Sequence, residues 1–184
     1  MISFISDSPN IIETSTIFGY YTNTYQLPDS SYVNIEILDT AGQETFNSQN
    51  RIYYRIADCC LLVYDITNLK SFKEISDYYI KEIKDNCKKG IKVILIGNKT
   101  DLENRVVSKE EGAKLAAKNG FYFNETSAEV NYNVADSFET LILMTNTEMI
   151  KTNTLNIDSA KNKFKINTDT GKVGRAPAKK KKCC

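Results

Sequence analysis

Three short polar loops carry the residues of this chain that could do chemistry. Asp39-Thr40-Ala41-Gly42-Gln43-Glu44 closes an alternating segment, Val33-Asn34-Ile35-Glu36-Ile37-Leu38. Asn98-Lys99-Thr100-Asp101 and Glu125-Thr126-Ser127-Ala128 each follow an apolar run. Histidine is absent from all 184 residues. That removes Ser-His and Cys-His catalysis and the commonest zinc ligands. What remains is binding and polarisation by backbone amides, carboxylates, lysine and glutamine. In open α/β sheets ligands sit beyond the carboxyl ends of the strands, and all three loops are expected at that edge.

The elements that must position these loops alternate between strand and helix. Residues 22–27 and 32–38 flank Pro28-Asp29-Ser30-Ser31, a turn-rich tetrapeptide, and predict a hairpin. A short helical or irregular stretch follows Glu44. The run Cys60-Leu61-Leu62-Val63-Tyr64 predicts a strand buried on both faces. Phe72, Ile75, Tyr79, Ile80 and Ile83 recur at helical spacing and predict an amphipathic helix over 71–85. Lys92-Val93-Ile94-Leu95-Ile96-Gly97 predicts a second buried strand. Ser108-Lys109-Glu110-Glu111 is a capping box, opening a helix that ends at Asn119-Gly120. Phe121-Tyr122-Phe123 predicts a third buried strand, and residues 134–150 a closing helix. Such alternation implies an α/β fold, a mostly parallel sheet with helices on both faces. Beyond about Lys151 the apolar pattern fails, so residues 152–182 read as a flexible linker after a domain over 1–151.

Composition narrows the function. Lysine plus arginine (24) nearly balances aspartate plus glutamate (23), so no global field favours nucleic acid. The exception is a basic run, Lys179, Lys180, Lys181 and Lys182, just before Cys183-Cys184. Five cysteines with no C-x-x-C pair argue against a disulfide framework or a zinc site. No apolar stretch approaches the roughly 18 residues that span a bilayer.

Together the DTAGQE, NKTD and ETSA loops, with Tyr53-Tyr54-Arg55, Leu62-Val63-Tyr64-Asp65 and the terminal Cys183-Cys184, resemble the Rab family of small GTPases. The resemblance implies a P-loop NTPase-like domain that binds GTP or GDP with Mg²⁺. It places Asp39 on Mg²⁺ through water, Ala41 among the cofactor-binding residues, the Gly42 amide at the γ-phosphate, and Gln43 orienting the attacking water. Phosphoryl transfer is mostly positioning and charge stabilisation, so a neutral glutamine suffices. Asp101 would accept hydrogen bonds from guanine N1 and N2, which adenine cannot offer, and a mismatch would leave buried polar groups unpaired. The Lys99 stem would lie along the base and Asn98 would brace the loops. Ser127 would shape its loop, and the Ala128 amide would meet guanine O6. Thr16 stands where a Mg²⁺-binding switch threonine is expected, although Phe18 replaces the usual glycine and a plain strand-entry threonine reads almost as well. An aromatic triad for partners falls on Tyr21, Leu38 and Tyr53, with Leu38 in place of the usual tryptophan. Effectors, exchange factors, GTPase activators and the prenylation and escort machinery are the implied partners of a monomer without nucleic-acid ligands.

Cys183-Cys184 resembles the double-cysteine ending that receives two geranylgeranyl groups. Two chains helped by adjacent lysines are what stable anchoring needs, so the implied location is the cytosolic face of intracellular membranes, in exchange with cytosol. One family signature is missing: none of the eight glycines has a second glycine five residues on, so G-x-x-x-x-G-K-[ST] does not occur. The reading is of a domain whose first strand, phosphate loop and most of whose first helix are absent. About five charge-assisted hydrogen bonds, each contributing roughly 1.5–3 kcal/mol, would go with that loop. Nucleotide binding and hydrolysis are therefore expected to be badly impaired, and the isolated chain to be largely insoluble. The rival expectation is a membrane-anchored decoy that binds partners without switching.

Overall fold

The computed structural model describes residues 19–39 and 47–163. Two strands, β1 (Gly19–Gln26) and β2 (Tyr32–Asp39), form an antiparallel hairpin with Gly19 opposite Asp39 and Gln26 opposite Tyr32. The turn closes as its composition predicts. Asp29 Oδ1 accepts from the Ser31 amide at 3.0 Å and its hydroxyl at 2.6 Å, while Ser30 takes a left-handed φ of 68°. Leu27 is buried beneath the turn.

Helix α1 (Asn47–Ile56) follows, then strand β3 (Cys59–Asp65). The long amphipathic segment starts two residues earlier than its apolar spacing suggests, because Asn68 caps it by accepting from the amides of Lys70 and Ser71. It is not one regular helix. Helix α2 (Leu69–Glu74) passes through a π-helical turn, Ile75–Tyr79, into helix α3 (Ile80–Asn86). Strand β4 (Lys92–Asn98), helix α4 (Lys109–Asn119), strand β5 (Tyr122–Glu125) and helix α5 (Val134–Lys163) complete the order.

Strands β3, β4 and β5 form a parallel sheet in that order, with Cys59 beside Lys92 and Ile94 beside Tyr122. Among the described residues the hairpin is a separate two-stranded sheet. Strand alternation sends side chains to two apolar layers. Leu62, Tyr64, Val93 and Leu95 pack with Ile75, Ile80, Ile83 and Ala116 of the helices on one face. Ile94 and Ile96 pack with Leu141 of α5, flanked by Cys59, Leu61 and Val63, on the other. Consecutive right-handed crossovers put α3 and α4 on the same face. The parallel sheet with helices on both faces is thus as expected.

Helix α4 carries the full capping box. Ser108 Oγ accepts from the Glu111 amide at 3.1 Å, Glu111 Oε2 accepts from the Ser108 amide at 2.8 Å, and Gly120 ends the helix in the left-handed region. The described residues belong to two compact units that divide after Thr147. Helix α5 runs on to Lys163, past residue 151. The Thr152 hydroxyl donates to the Glu148 carbonyl at 2.9 Å there, a local bond that keeps a polar residue within the helix.

Candidate functional site

The carboxyl ends of β3, β4 and β5 bring three polar segments together. Strand β3 ends in Asp65, whose Oδ1 accepts from the Thr67 amide at 2.8 Å and hydroxyl at 2.7 Å. Its Oδ2 lies 2.7 Å from Lys99 Nζ. Burial pushes the Asp65 carboxyl up, but the Lys99 and Thr67 hydrogen bonds outweigh it and hold the pKa below its ordinary value. Asp65 in turn raises Lys99. Lys99 follows the end of β4 with φ of 72°, a left-handed turn that aims the next residues back across the sheet edge.

Asn98 joins the second and third loops. Its Oδ1 accepts from the Thr126 hydroxyl at 3.0 Å and from the Ala128 amide at 3.2 Å. The backbone repeats the connection, since the Thr126 amide donates to the Gly97 carbonyl and the Thr100 amide to the Thr126 carbonyl. Ser127 is fully buried, and its hydroxyl donates to Asp101 Oδ1 at 2.5 Å. A bridge pairing Ser127 with Tyr132 closes the loop behind it. Asp101 therefore has one oxygen fixed by a buried donor, while the residue itself remains exposed, leaving its second oxygen for a ligand. An open cleft of about 430 Å³ adjoins it, walled by Thr100, Lys109, Asn124, Glu125, Val130, Tyr132 and Asn133.

A second set of contacts, not anticipated from the sequence, supports this loop. Arg105 binds Glu125 with both guanidinium nitrogens, at 2.6 and 3.2 Å, and Glu125 raises the already high Arg105 pKa. Asn133 Nδ2 donates to the Glu125 carbonyl, and Asn124 Nδ2 to the Ser137 hydroxyl. Asp65 could have been suspected, since a carboxylate ending a buried strand at the ligand edge invites a partner. Nothing in the spacing of Arg105 points to Glu125.

Asn98, Lys99, Asp101, Ser127 and Ala128, the residues expected to read a base, thus converge as one group. Asp39 lies exposed at the end of β2. Thr16, Ala41, Gly42, Gln43, Lys179, Lys182, Cys183 and Cys184 lie outside the described residues. The hairpin register pairs Tyr21 with Ile37 and Leu38 with Tyr20. Directly opposed residues share a face, so Tyr21 and Leu38 stand on opposite faces of the ladder. Tyr53 is half-buried on α1. Among the described residues no helix is long and apolar enough to cross a membrane, and no cluster of three or more acidic or cysteine side chains could hold a metal ion.

A parallel sheet bearing an Asn-Lys-x-Asp turn laced to a buried Thr-Ser loop at its carboxyl edge defines the α/β fold of small GTPases. The Ras family model matches residues 1–147. The Ras-related protein Rab-13 of Canis lupus familiaris is 41% identical over 143 residues, covering 77% of this chain and 70% of that protein. Ras-related protein Rab-8A is 40% identical in Gallus gallus and 41% in Rattus norvegicus, each over 77% of this chain and 68% of the relative. The chain belongs to the Ras family, as a Rab-type small GTPase. GTPases of this kind generally bind GTP or GDP with Mg²⁺ and act in membrane traffic.

Proposed function

We propose that this chain selects guanine through the loops at the ends of β4 and β5, as the recognition part of a Rab-type GTPase on membranes. The observation that carries the reading is Asn98, which bonds both segments of the opposite loop while Ser127 orients Asp101. A carboxylate held in this way is ready to accept from two adjacent N–H groups of a guanine edge. The single N–H of Ala128 donates to Asn98 in this structure, so by family resemblance it would exchange that acceptor for guanine O6, and the exposed Lys99 stem can flank the base. These groups fit the base. For Mg²⁺ the described residues supply Asp39, with Thr16, Gly42 and Gln43 assigned by family resemblance to the metal, the γ-phosphate and the attacking water. Because Tyr21 and Leu38 stand on opposite faces of the hairpin, the two cannot share one partner surface with Tyr53. Effectors, exchange factors and activators would meet Tyr53 together with one of them, and Cys183 and Cys184 would carry the lipid groups.

The test is competition against a fluorescent guanine nucleotide. GTP and GDP should displace it and ATP should not. Asp101→Asn should weaken guanine binding by more than about a hundredfold, because an amide cannot accept from both donors. It should also favour xanthine, whose C2 carbonyl suits the new NH₂ group. Equal displacement by ATP and GTP would defeat the assignment.

A second reading is a membrane-anchored partner binder that does not switch. Nucleotide released on denaturing the purified chain separates the two. Stoichiometric GDP or GTP supports the switch, and none supports the binder.

A further inference from the structure

At the end of the sheet away from the base loops, the surface is cationic. The two helices α3 and α4 cover one face and run antiparallel to the strands, so both finish at the edge where β3, β4 and β5 begin. Lys81 and Lys84 stand on α3, Lys88 and Lys89 just past its cap, and Lys114 and Lys118 four residues apart on α4; all six are exposed. The two helix ends are tied together by Lys84 Nζ, which donates to Asn119 Oδ1 at 2.7 Å. Lys88 pairs with Asp58 at 2.6 Å. The remaining four make no ion pair with a described residue. Counting Asp77 and Glu110, four residues before Lys81 and Lys114, with Asp58, Glu82 and Asp85, the six lysines exceed the carboxylates by one. At the edge itself Lys84, Lys88, Lys89 and Lys118 stand against Asp58 and Asp85, an excess of two.

Cations near helix carboxyl ends complement the helix dipoles, and that accounts for Lys84 and Lys118. It does not account for Lys81 in the first turn of α3, nor for two helices and a loop converging on one edge. We propose that this lysine edge rests on an anionic lipid surface, with the guanine-reading edge turned away from the bilayer. All six cations are lysines, which are hydrated point charges rather than the planar forks that grip one phosphate bidentately. Such a spread of point charges suits a diffuse array of headgroups, where each lysine raises binding by about fivefold. The inference uses the folded domain alone and stands whether or not Cys183 and Cys184 are lipidated.

The full chain, made by cell-free synthesis with vesicles present, is floated through a density gradient, which separates lipid-bound chain from aggregate. Vesicles of phosphatidylcholine are compared with vesicles containing about 30% phosphatidylserine. To remove the tail's contribution, Lys179, Lys180, Lys181 and Lys182 are changed to Ala in every sample. The expected result is flotation on the anionic vesicles only, lost at high salt. It should fall by more than about tenfold when Lys81, Lys89, Lys114 and Lys118 become Glu, and be retained when they become Arg. Flotation that ignores phosphatidylserine or salt would overturn the proposal, as would a Glu variant that floats like its parent. So would a parent that stays with the aqueous fraction but binds nucleic acid through the same lysines.

Discussion

Lys99 Nζ and Asp65 Oδ2 stand 2.7 Å apart, joining the end of β3 to the turn after β4 on the carboxyl edge of the sheet. The pair fixes a loop whose backbone is already in a left-handed turn. Its pH dependence has two limbs. The Asp65 pKa is depressed below 3.8, so its contribution is present above that value and is lost as pH falls through the folded pKa. The Lys99 pKa is raised above 10.5, so its contribution is present below that value and is lost as pH rises through the folded pKa. The expected stability plateau from this pair spans about pH 5 to about pH 9. Urea midpoints of the refolded chain and of Asp65→Asn should differ at pH 7, and the gap should shrink as pH falls below 3.8. An unchanged gap across that fall would mean that the pair contributes nothing measurable.

Asn98 offers a sharper test of the loop junction. Asn98→Ala leaves the Thr126 hydroxyl and the Ala128 amide without their acceptor, in a region where Thr126 is buried. The expected loss is about 2 kcal/mol of stability together with guanine selectivity. Asn98→Asp keeps an acceptor and should restore most of the stability. Denaturant titration of both variants checks this, and equal losses would place the role of Asn98 elsewhere.

Much of this fold could be read from local chemistry, and the exceptions have physical causes. The capping box at Ser108 and the left-handed Gly120 follow from side chains that satisfy backbone groups within a few residues. The β3 and β4 runs were legible because strands covered on both faces are apolar throughout. The π-helical turn at Ile75–Tyr79 was not, since inserting one residue preserves an apolar stripe at spacings of three and four. At the site, the grouping of Asn98, Asp101, Ser127 and Ala128 came from family motifs. The Arg105–Glu125 clamp and the Asp65–Lys99 pair depend on register between distant segments, which no single stretch of sequence encodes.

Packing is close where α4 meets β3 and β5. Tyr64 is 1% exposed, and its hydroxyl has no hydrogen-bond partner among the described residues. A Cβ added at Gly112 would fall 2.3 Å from that oxygen and 2.6 Å from the Phe123 ring. Gly112→Ala gains helix propensity but forces this overlap, and should cost about 1–3 kcal/mol net. Tyr64→Phe removes an unsatisfied buried group and should stabilise by about 1 kcal/mol. The double variant should recover only part of the loss, because the Phe123 contact remains. Thermal melts of the three variants decide it, and a neutral Gly112→Ala would show that the ring can shift cheaply.

The thiols give a chemical readout of the same sheet. Burial pushes the Cys60 thiol up to about 12, with smaller contributions from neighbouring Cys87 and Cys59. Burial also raises Cys87 and Cys59 above 9.0, in the latter case against a hydrogen bond with Thr145. The thiolate is the reactive form, so at pH 7.5 only roughly one Cys60 in thirty thousand would be ready to react. Iodoacetamide followed by peptide mass analysis should therefore leave Cys60 unmodified in the native chain and label it readily in urea. Its protection should exceed that of Cys87, whose pKa burial raises less, by more than about tenfold. Native labelling of Cys60 at the rate of a free thiol would mean that β3 opens to solvent, and that the sheet carrying Asp65 is not held closed by its flanking helices.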